Sequence, residues 1–274
     1  MGRNEEQSIE GASGDGPNRR NRSNPLGVVV IIAIAAIWEA LVRFSIADVQ
    51  FLPAPSEIVV AAQEEIVGGE FVGRLVHTVG VTVLGWGIAA VVGVGLGLLL
   101  GLWPTAYRYS MTSFEVTRAI PPITFVPAAL LIFGFSLKME LVLVIYGGIW
   151  PVLINTIGGV RSIAPELRDV GTMLRLSTPE TIRKIVLPAA LPSVVVGLRL
   201  GLSLCLVLAV VAEMVGNPAG LGNGLISARQ ALQPARMFVY VMAAGLVGVV
   251  LNAGLRATAQ VLLPDGALKD ISAT

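Results

Sequence analysis

Long apolar stretches alternate with short polar segments along most of the chain. A helix needs about 20 predominantly apolar residues to cross ~30 Å of hydrocarbon, because it rises only about 1.5 Å per residue. Windows of that length predict six spans, at about residues 26–44, 79–103, 119–135, 141–160, 189–211 and 238–263. The pattern therefore predicts an all-α integral membrane protein with about six transmembrane helices, which form one domain over residues 26–263.

The composition supports a membrane location and excludes several other classes of protein. Hydrophobic residues make up 54% of the 274 residues and charged residues only 14%, whereas soluble domains carry about 25% charged residues. The net charge of +1 argues against a nucleic-acid-binding face. The single cysteine and single histidine exclude a disulfide within the chain, a Cys-rich metal site and the zinc-hydrolase motifs that need two histidines. No metal site is predicted.

The distribution of Lys and Arg predicts the orientation of the chain, because these residues mark cytoplasmic loops. Residues 1–25 are polar and predict a disordered tail, and residues 264–274 predict a second tail. If both tails are cytoplasmic, twelve Lys and Arg residues lie inside, two lie within spans, and the outer loops hold Arg43, Arg74, Lys138, Arg229 and Arg236. Both termini are therefore predicted to be cytoplasmic.

The outer loop of residues 45–74 contains five acidic residues, and Ser56 is predicted to cap a short helix in it. Two interpretations stay open for this loop: a solvated acidic segment on the membrane surface, or a landing surface for an extracytoplasmic partner.

Glycines recur every four residues in the second span, at Gly93, Gly97 and Gly101. Small residues at this spacing let helix backbones approach closely in lipid. We therefore expect this helix to pack tightly on another helix, either within the chain or across a dimer.

Prolines and a few polar residues interrupt the apolar spans. Three prolines lie within residues 119–127, and Pro151 lies in the fourth span. Proline kinks a helix, so each break is either a packing kink or a bend that lines a pathway. Polar groups within spans suggest functional sites, and the candidate pathway residues are Pro122, Thr124, Asn155, Arg199 and Glu213. Arg199 either favours an anion in the pathway or pairs with Glu213.

The cytoplasmic segment of residues 161–188 predicts two short helices joined at an elbow. Leu167, Val170 and Leu174 recur at helical spacing after Pro165, and Ser177 with Glu180 has the form of a capping box. Pro188 is expected to end the second helix. Helices this short are unstable alone, so the segment must dock either on its own bundle or on a separate cytoplasmic protein.

This segment resembles the EAA loop of binding-protein-dependent ABC importer permeases. That motif is Glu-Ala-Ala, three residues, Gly, nine residues, Ile, one residue, Leu-Pro. Alignment on Ile185 and Leu187-Pro188 puts Asp169-Val170-Gly171 at the Glu-Ala-Ala positions and Arg175 at the glycine. The loop is thus divergent, because arginine does not replace a left-handed glycine freely.

Other segments resemble the nitrate, sulfonate and taurine branch of the same permeases and occur in the same order. They are Leu52-Pro-Ala-Pro-Ser56, Arg118-Ala-Ile-Pro-Pro122, Pro151-Val-Leu-Ile-Asn-Thr156, Gly159-Val-Arg-Ser162, Leu187-Pro-Ala-Ala-Leu-Pro192, Gly197-Leu-Arg199, Val211-Ala-Glu-Met214, Gly220-Leu-Gly222 and Ala228-Arg-Gln230.

The resemblance implies a type I ABC importer permease in a bacterial cell membrane and no catalytic activity. It implies a homodimer of permease subunits, two ABC ATPase subunits that bind ATP and Mg, an extracytoplasmic solute-binding protein, and no cofactor on this chain. The implied solute is a sulfonate, taurine, nitrate or similar small anion. The alternatives are a heterocyclic vitamin precursor or aromatic acid, and an ion-coupled secondary carrier. The implied ATPase-coupling residues are Leu167, Arg168, Asp169, Val170, Gly171, Leu174, Arg175, Leu176, Ser177, Glu180, Leu187 and Pro188.

Overall fold

The computed structural model describes residues 25–44, 51–215 and 217–262, so the two predicted tails lie outside it apart from Pro25. Every regular element in these ranges is helical. The helices are α1 (Pro25–Arg43), α2 (Pro55–Val67), α3 (Glu70–Leu102), α4 (Pro104–Ala119), α5 (Val126–Phe133), α6 (Leu137–Arg161), α7 (Pro165–Met173), α8 (Thr178–Thr181), α9 (Leu187–Val215), α10 (Leu221–Gln230) and α11 (Pro234–Leu262).

The all-α membrane class is confirmed by long apolar helices. In the described part of the chain, α3, α6, α11 and the helix that ends with α9 are long and apolar enough to cross a membrane. A bent pair, α4 and the segment of residues 122–133, makes a fifth candidate if it is counted as one span. By itself, α1 forms a 19-residue helix over the first predicted span.

The third predicted span, residues 119–135, is not a straight helix, and it bends at the adjacent prolines, where the sequence predicts a kink. The chain is helical up to Ala119, and it resumes as a 3₁₀ turn over Pro122–Phe125 followed by α5, with a bend of 76° between the two halves. Ile120 adopts extended angles (φ −76°, ψ 117°) because the residue before a proline avoids the helical region. The adjacent prolines also remove two backbone donors that a continuous helix would need.

The prediction that Pro188 ends the second helix of residues 161–188 is wrong. The helix continues from Thr178 to Val215 through a π-helical segment, Ile182–Val186, and through Pro188 and Pro192. A π segment widens the turn directly before Pro188, where the ring would otherwise crowd the carbonyl of Lys184. The widened turn therefore lets a single helix connect the elbow, which we define as residues 165–188, to the membrane bundle.

The loop predicted to lie outside the membrane contains the expected short helix, but Ser56 does not cap it. α2 begins at Pro55, and its N-cap residue is Ala54, whose backbone N–H donates to the Glu57 carboxylate at 3.1 Å. Proline suits this first helical position because the N–H it lacks would have no partner within the helix.

Glycines hold α3 directly against α6. Gly85, Gly93, Gly97 and Gly101 face, in the same order, Val144, Val152, Thr156 and Val160. The common order means that the two helices run parallel, and the absence of Cβ atoms on α3 lets them approach closely. The three glycines predicted to pack therefore lie against a helix of their own chain.

On its other side, α6 packs against α9, which runs antiparallel to it. Gly148 lies beside Cys205, and Gly159 lies beside Ser193. The elbow joins the end of α6 to the start of α9, so the start of α6 and the end of α9 meet at the opposite end of the bundle. There α10 and α11 pack against α9, and α2 packs against α11.

Candidate coupling elbow and buried carboxylate cluster

The elbow turns sharply at Arg175. Arg175 has φ +51°, in the left-handed region, and the Leu176 N–H donates to the Gly171 carbonyl at 3.0 Å. This conformation costs a non-glycine residue about 1–2 kcal/mol. Arg175 therefore occupies the backbone geometry that glycine favours, at the position where the aligned motif has glycine.

The second half of the elbow begins with a local carboxylate contact. The Glu180 carboxylate accepts hydrogen bonds from the Ser177 backbone N–H at 3.0 Å and from the Ser177 hydroxyl at 2.7 Å. Lys184 lies 3.4 Å from the same carboxyl group. These contacts fix the start of α8, as the capping pattern predicts.

One face of the elbow is buried, and its end packs on α6, whereas the other face is open. Gly171 is buried and close to Thr181 and Ile185, and Val186 is buried with Val160. In contrast, apolar side chains of the outer face are largely exposed: Leu167 is 47% exposed, Leu174 64% and Met173 81%. The elbow thus presents an apolar face that the described part of this chain does not cover.

The remaining coupling candidates differ in exposure. Asp169 and Pro188 are exposed, whereas Leu176 and Leu187 are half-buried. The side chains of Arg168 and Val170 lie outside what the structure describes.

The five candidate pathway residues do not converge on one site. Thr124 is exposed and donates to the Pro121 carbonyl at 2.7 Å, next to the half-buried Pro122. Asn155 donates to the Pro151 carbonyl at 2.8 Å, across the proline in α6. Both polar side chains thus donate to the carbonyl group of a proline.

Arg199 does not pair with Glu213. Both lie on α9 but fourteen residues apart, which corresponds to about 21 Å along a helix. Arg199 is half-buried in the middle of α9, and Glu213 is fully buried near its end. The alternative in which the two residues neutralise each other is therefore excluded.

Glu213 belongs instead to a buried carboxylate cluster, which we define as His77, Glu140 and Glu213 with Thr78 and Asn217. Glu213 Oε2 accepts from the Thr78 hydroxyl at 3.0 Å and from the Gly222 N–H at 2.9 Å. Thr78 Oγ1 in turn accepts from the Leu221 N–H at 2.9 Å. These contacts tie the end of α9 to α3 and to the start of α10.

Glu140 forms the other half of the cluster. It is fully buried in the first turn of α6, with Oε2 2.9 Å from His77 Nε2. The Asn217 amide donates to Glu140 Oε1, and Asn217 Oδ1 accepts from the Ala219 N–H at 3.2 Å. Ligating atoms of His77, Glu140 and Glu213 all lie within 4.8 Å of one another.

Glu140 and His77 are not among the candidate residues that the sequence predicts, whereas Glu213 is. The positions of the two carboxylates along their helices could have indicated the cluster. Glu140 lies at the start of one span, and Glu213 lies at the end of the next long span. Because consecutive spans are antiparallel, these two ends lie on the same side of the membrane.

Comparisons with known proteins agree on one family. Residues 93–265 match the family described as binding-protein-dependent transport system inner membrane component. The chain is 30% identical over 247 residues, 90% of each chain, to a Bacillus subtilis protein named as the aliphatic sulfonates transport permease SsuC. It is 30% identical over 182 residues to the nitrate import permease NrtB of Leptolyngbya laminosa, with 66% of this chain and 65% of that protein covered.

The fold is similar to that of a chain in an inward-facing structure of the MetNI methionine ABC transporter. The TM-score is 0.57 at 19% sequence identity, and the match covers 68% of this chain and 95% of the other. The likeness shows the fold of a type I ABC importer permease.

Proposed function

Because this chain belongs to the family of binding-protein-dependent transport system inner membrane components, we propose that it forms the transport pathway for a small anion. ATPase subunits bind its elbow in this proposal and drive the transport. Its family is that of ABC importer permeases, which are not catalytic. The chain is therefore a membrane-embedded permease subunit and not an enzyme.

The exposed apolar face of the elbow is the observation that carries the coupling role. Leu167, Met173 and Leu174 lie in water-accessible positions on a helix of nine residues, Pro165–Met173, and the turn after it. Such a short helix gains little stability from its own hydrogen bonds, and its apolar side chains gain free energy only when a partner covers them. A groove on the ATPase subunit would cover them, with Asp169 and Arg175 at the rim.

The continuous helix from the elbow into the bundle supports a mechanical role. Thr178 to Val215 forms one helix, and Val186 is packed against Val160 at the end of α6. A displacement of the elbow is therefore transmitted to both α6 and α9 without an intervening loop. ATP binding can shift the bundle only if the two states of the ATPase pair hold the elbow differently.

The proposed assembly consists of two copies of this chain, two ATPase subunits that bind ATP and Mg²⁺, and an extracytoplasmic solute-binding protein. This chain itself binds no nucleotide in the proposal, since it contains no GxxxxGK[ST] motif. Both termini lie in the cytoplasm of a bacterial cell, as the excess of Lys and Arg in the inner loops favours.

An anion is the solute that the sequence relatives and one side chain favour. The relatives are named for aliphatic sulfonates and nitrate, and Arg199 is a half-buried cation in the middle of a spanning helix. Cations at this depth usually face a partner or a wet cavity. We assign Arg199, Asn155, Pro122 and Thr124 to the pathway and place Glu213 in the carboxylate cluster, where its oxygens are enclosed.

An aromatic or heterocyclic solute is the second candidate, and an apolar groove favours it. A groove of about 400 Å³ is lined by Leu96, Phe114, Val142, Ile145, Tyr146, Ile149, Trp150 and Leu153. Trp150 contacts both Phe114 and Tyr146 edge to face, with ring centroids 5.8 Å apart in each pair. A planar ring would stack there, whereas nitrate would not. The ion-coupled carrier is not retained, because the chain belongs to an ABC family.

Co-purification of the complex tests the elbow. Leu174→Asp and Asp169→Arg are expected to reduce recovery of the ATPase subunits with the full-length permease by about tenfold or more, which corresponds to ~1.4 kcal/mol. Val67→Asp is the matched control, because Val67 is likewise an exposed apolar residue (87%), at the end of α2 and away from the elbow. Equal recovery of the ATPase with all three variants would refute the assignment.

A further inference from the structure

We propose that His77, Glu140 and Glu213 bind a divalent transition-metal ion, for which Zn²⁺ is the best match, at the end of the bundle opposite the elbow. The three side chains come from the start of α3, the start of α6 and the end of α9. The ion would therefore tie together three helices that no loop joins at this point. The inference does not depend on which solute the importer carries.

The donor set suits a borderline metal. One imidazole nitrogen and two carboxylate oxygens resemble the three protein ligands of many zinc sites. Imidazole favours Zn²⁺ and its neighbours, whereas Mg²⁺ and Ca²⁺ prefer sites built wholly from oxygen.

The spacing of the donor atoms is close to what such an ion needs. One ligating atom from each residue lies within 4.8 Å of the other two, and His77 Nε2 is 2.9 Å from Glu140 Oε2. Tetrahedral bonds of about 2.0–2.1 Å place ligands about 3.4 Å apart. The ligating atoms would therefore have to approach one another by at most about 1.4 Å on binding.

The charge of the cluster calls for a cation. Glu140 and Glu213 are both fully buried, and an isolated carboxylate away from water carries a large desolvation penalty. Among the described residues that approach either carboxylate, His77 is the one basic side chain that pairs with them. Arg74, the nearest basic residue along α3, is held by Glu70 at 3.0 Å and by Asn223 at 3.0 Å.

An unpartnered oxygen provides an independent sign of a missing ligand. Glu213 Oε1 is buried and accepts no hydrogen bond from any described residue. Buried polar atoms nearly always have a partner, and an orphan suggests an ion or water that completes the site. A metal bond would satisfy this oxygen and offset the charge of both carboxylates at once.

The residues around the cluster restrict how its carboxylates can move. Gly220 has φ +90°, and a Cβ atom there would collide with the Glu213 carboxyl group. Gly222 and Thr78 hold Glu213 Oε2, and Asn217 holds Glu140. Such outer contacts orient metal ligands and raise metal affinity.

The competing occupant is a proton, because a proton shared between His77 and Glu140 would also lower the negative charge. The two occupants differ in a measurable way. A bound metal makes stability depend on metal concentration at fixed pH, whereas a proton makes it depend on pH alone.

The test uses the full-length chain in detergent with an affinity tag that contains no histidine. We expect about one zinc per chain by elemental analysis after dialysis against trace zinc. We expect chelation to lower the thermal midpoint and Zn²⁺ at about 100 times its Kd to raise it by about 5–10 °C. Mg²⁺ and Ca²⁺ should have no such effect.

The single histidine and the single cysteine make the ligand set readable by X-ray absorption. An imidazole signal at about 2.0–2.1 Å would identify His77, since the chain has no other histidine. A sulfur signal at about 2.3 Å would instead indicate adventitious binding at Cys205 and would overturn the proposal.

Three variants and one control complete the test. Glu140→Gln, Glu213→Gln and His77→Gln should each weaken zinc binding by at least tenfold, whereas Glu70→Gln should not. Glu70 is an exposed carboxylate on the same helix as His77. No zinc in the wild-type protein, or a zinc shift that persists in all four variants, would overturn the proposal. If a variant fails to fold, the zinc content and absorption spectrum of the wild-type protein still decide the question.

Discussion

Replacement of Gly97 by alanine tests the packing of α3 on α6. A methyl group at Gly97 would lie 2.5 Å from Thr156 Cβ, 2.7 Å from Thr156 Cγ2 and 3.2 Å from the Leu153 carbonyl oxygen. Carbon atoms in contact prefer about 3.5–4.0 Å, so the helices must separate by about 1 Å at this point. The separation would loosen the contacts of the neighbouring glycines as well.

Two opposing terms set the size of the effect. Overpacking of this kind costs about 1–3 kcal/mol, and alanine in place of a helical glycine gains about 0.5–1 kcal/mol. Gly95 is the matched control, because it lies two residues away on the exposed side of α3 and a Cβ there meets nothing within 4 Å. Subtraction of the Gly95→Ala result removes the helix-propensity term.

The assay is the thermal midpoint of the purified permease in one detergent. A difference of about 2 kcal/mol between the variants corresponds to about 4–8 °C, with Gly97→Ala lower. The double variant with Gly97→Ala and Thr156→Gly should lose less free energy of unfolding than the two single variants lose together. We expect this difference to be at least about 1 kcal/mol. Equal midpoints for Gly97→Ala and Gly95→Ala would refute the close approach of α3 to α6.

Two further predictions concern the elbow and the carboxylate cluster. Arg175→Gly should raise the thermal midpoint, because it removes about 1–2 kcal/mol of left-handed backbone strain. Arg175→Val should lower the thermal midpoint, because β-branched residues avoid φ +51°. Equal midpoints for the two variants would contradict the elbow geometry. Thr78→Val should lower the free energy of unfolding by about 1–3 kcal/mol, because the Leu221 N–H and Glu213 lose a buried partner. Thr117→Val, whose hydroxyl donates to the Ser113 carbonyl on an exposed helix face, should cost less than about 0.5 kcal/mol, and equal losses in both variants would contradict the buried network.

The spanning helices could be predicted from the sequence because hydrocarbon thickness sets their length. α3, α6, α9 and α11 each extend several residues beyond the apolar windows, since a helix continues into the headgroup region. The prolines in the third span predict a break there, but they do not predict its size, which is a bend of 76°.

The spacing of small residues predicted that one face of α3 packs closely, but not which helix covers it. The pairing of Gly97 with Thr156 depends on how α3 and α6 meet in three dimensions. The left-handed Arg175 is a similar case. The aligned glycine indicated a special backbone position, and the turn keeps that geometry despite the side chain.

The carboxylate cluster was the least predictable feature. Glu140 and Glu213 come from different spans and His77 from a third, so each looks like an isolated polar residue near a span end. Their common burial follows from the parallel packing of α3 with α6 and the antiparallel packing of α6 with α9. Patterns within one helix contain no information about that convergence.

Uptake into proteoliposomes tests the central claim most directly. The full complex of permease, ATPase subunits and solute-binding protein would be reconstituted and supplied with a labelled sulfonate or nitrate. The account predicts uptake that requires both ATP on the cytoplasmic side and the binding protein, persists when ionophores abolish ion gradients, and is lost in Leu174→Asp. Uptake that continues without ATP and disappears with the ion gradients would contradict it.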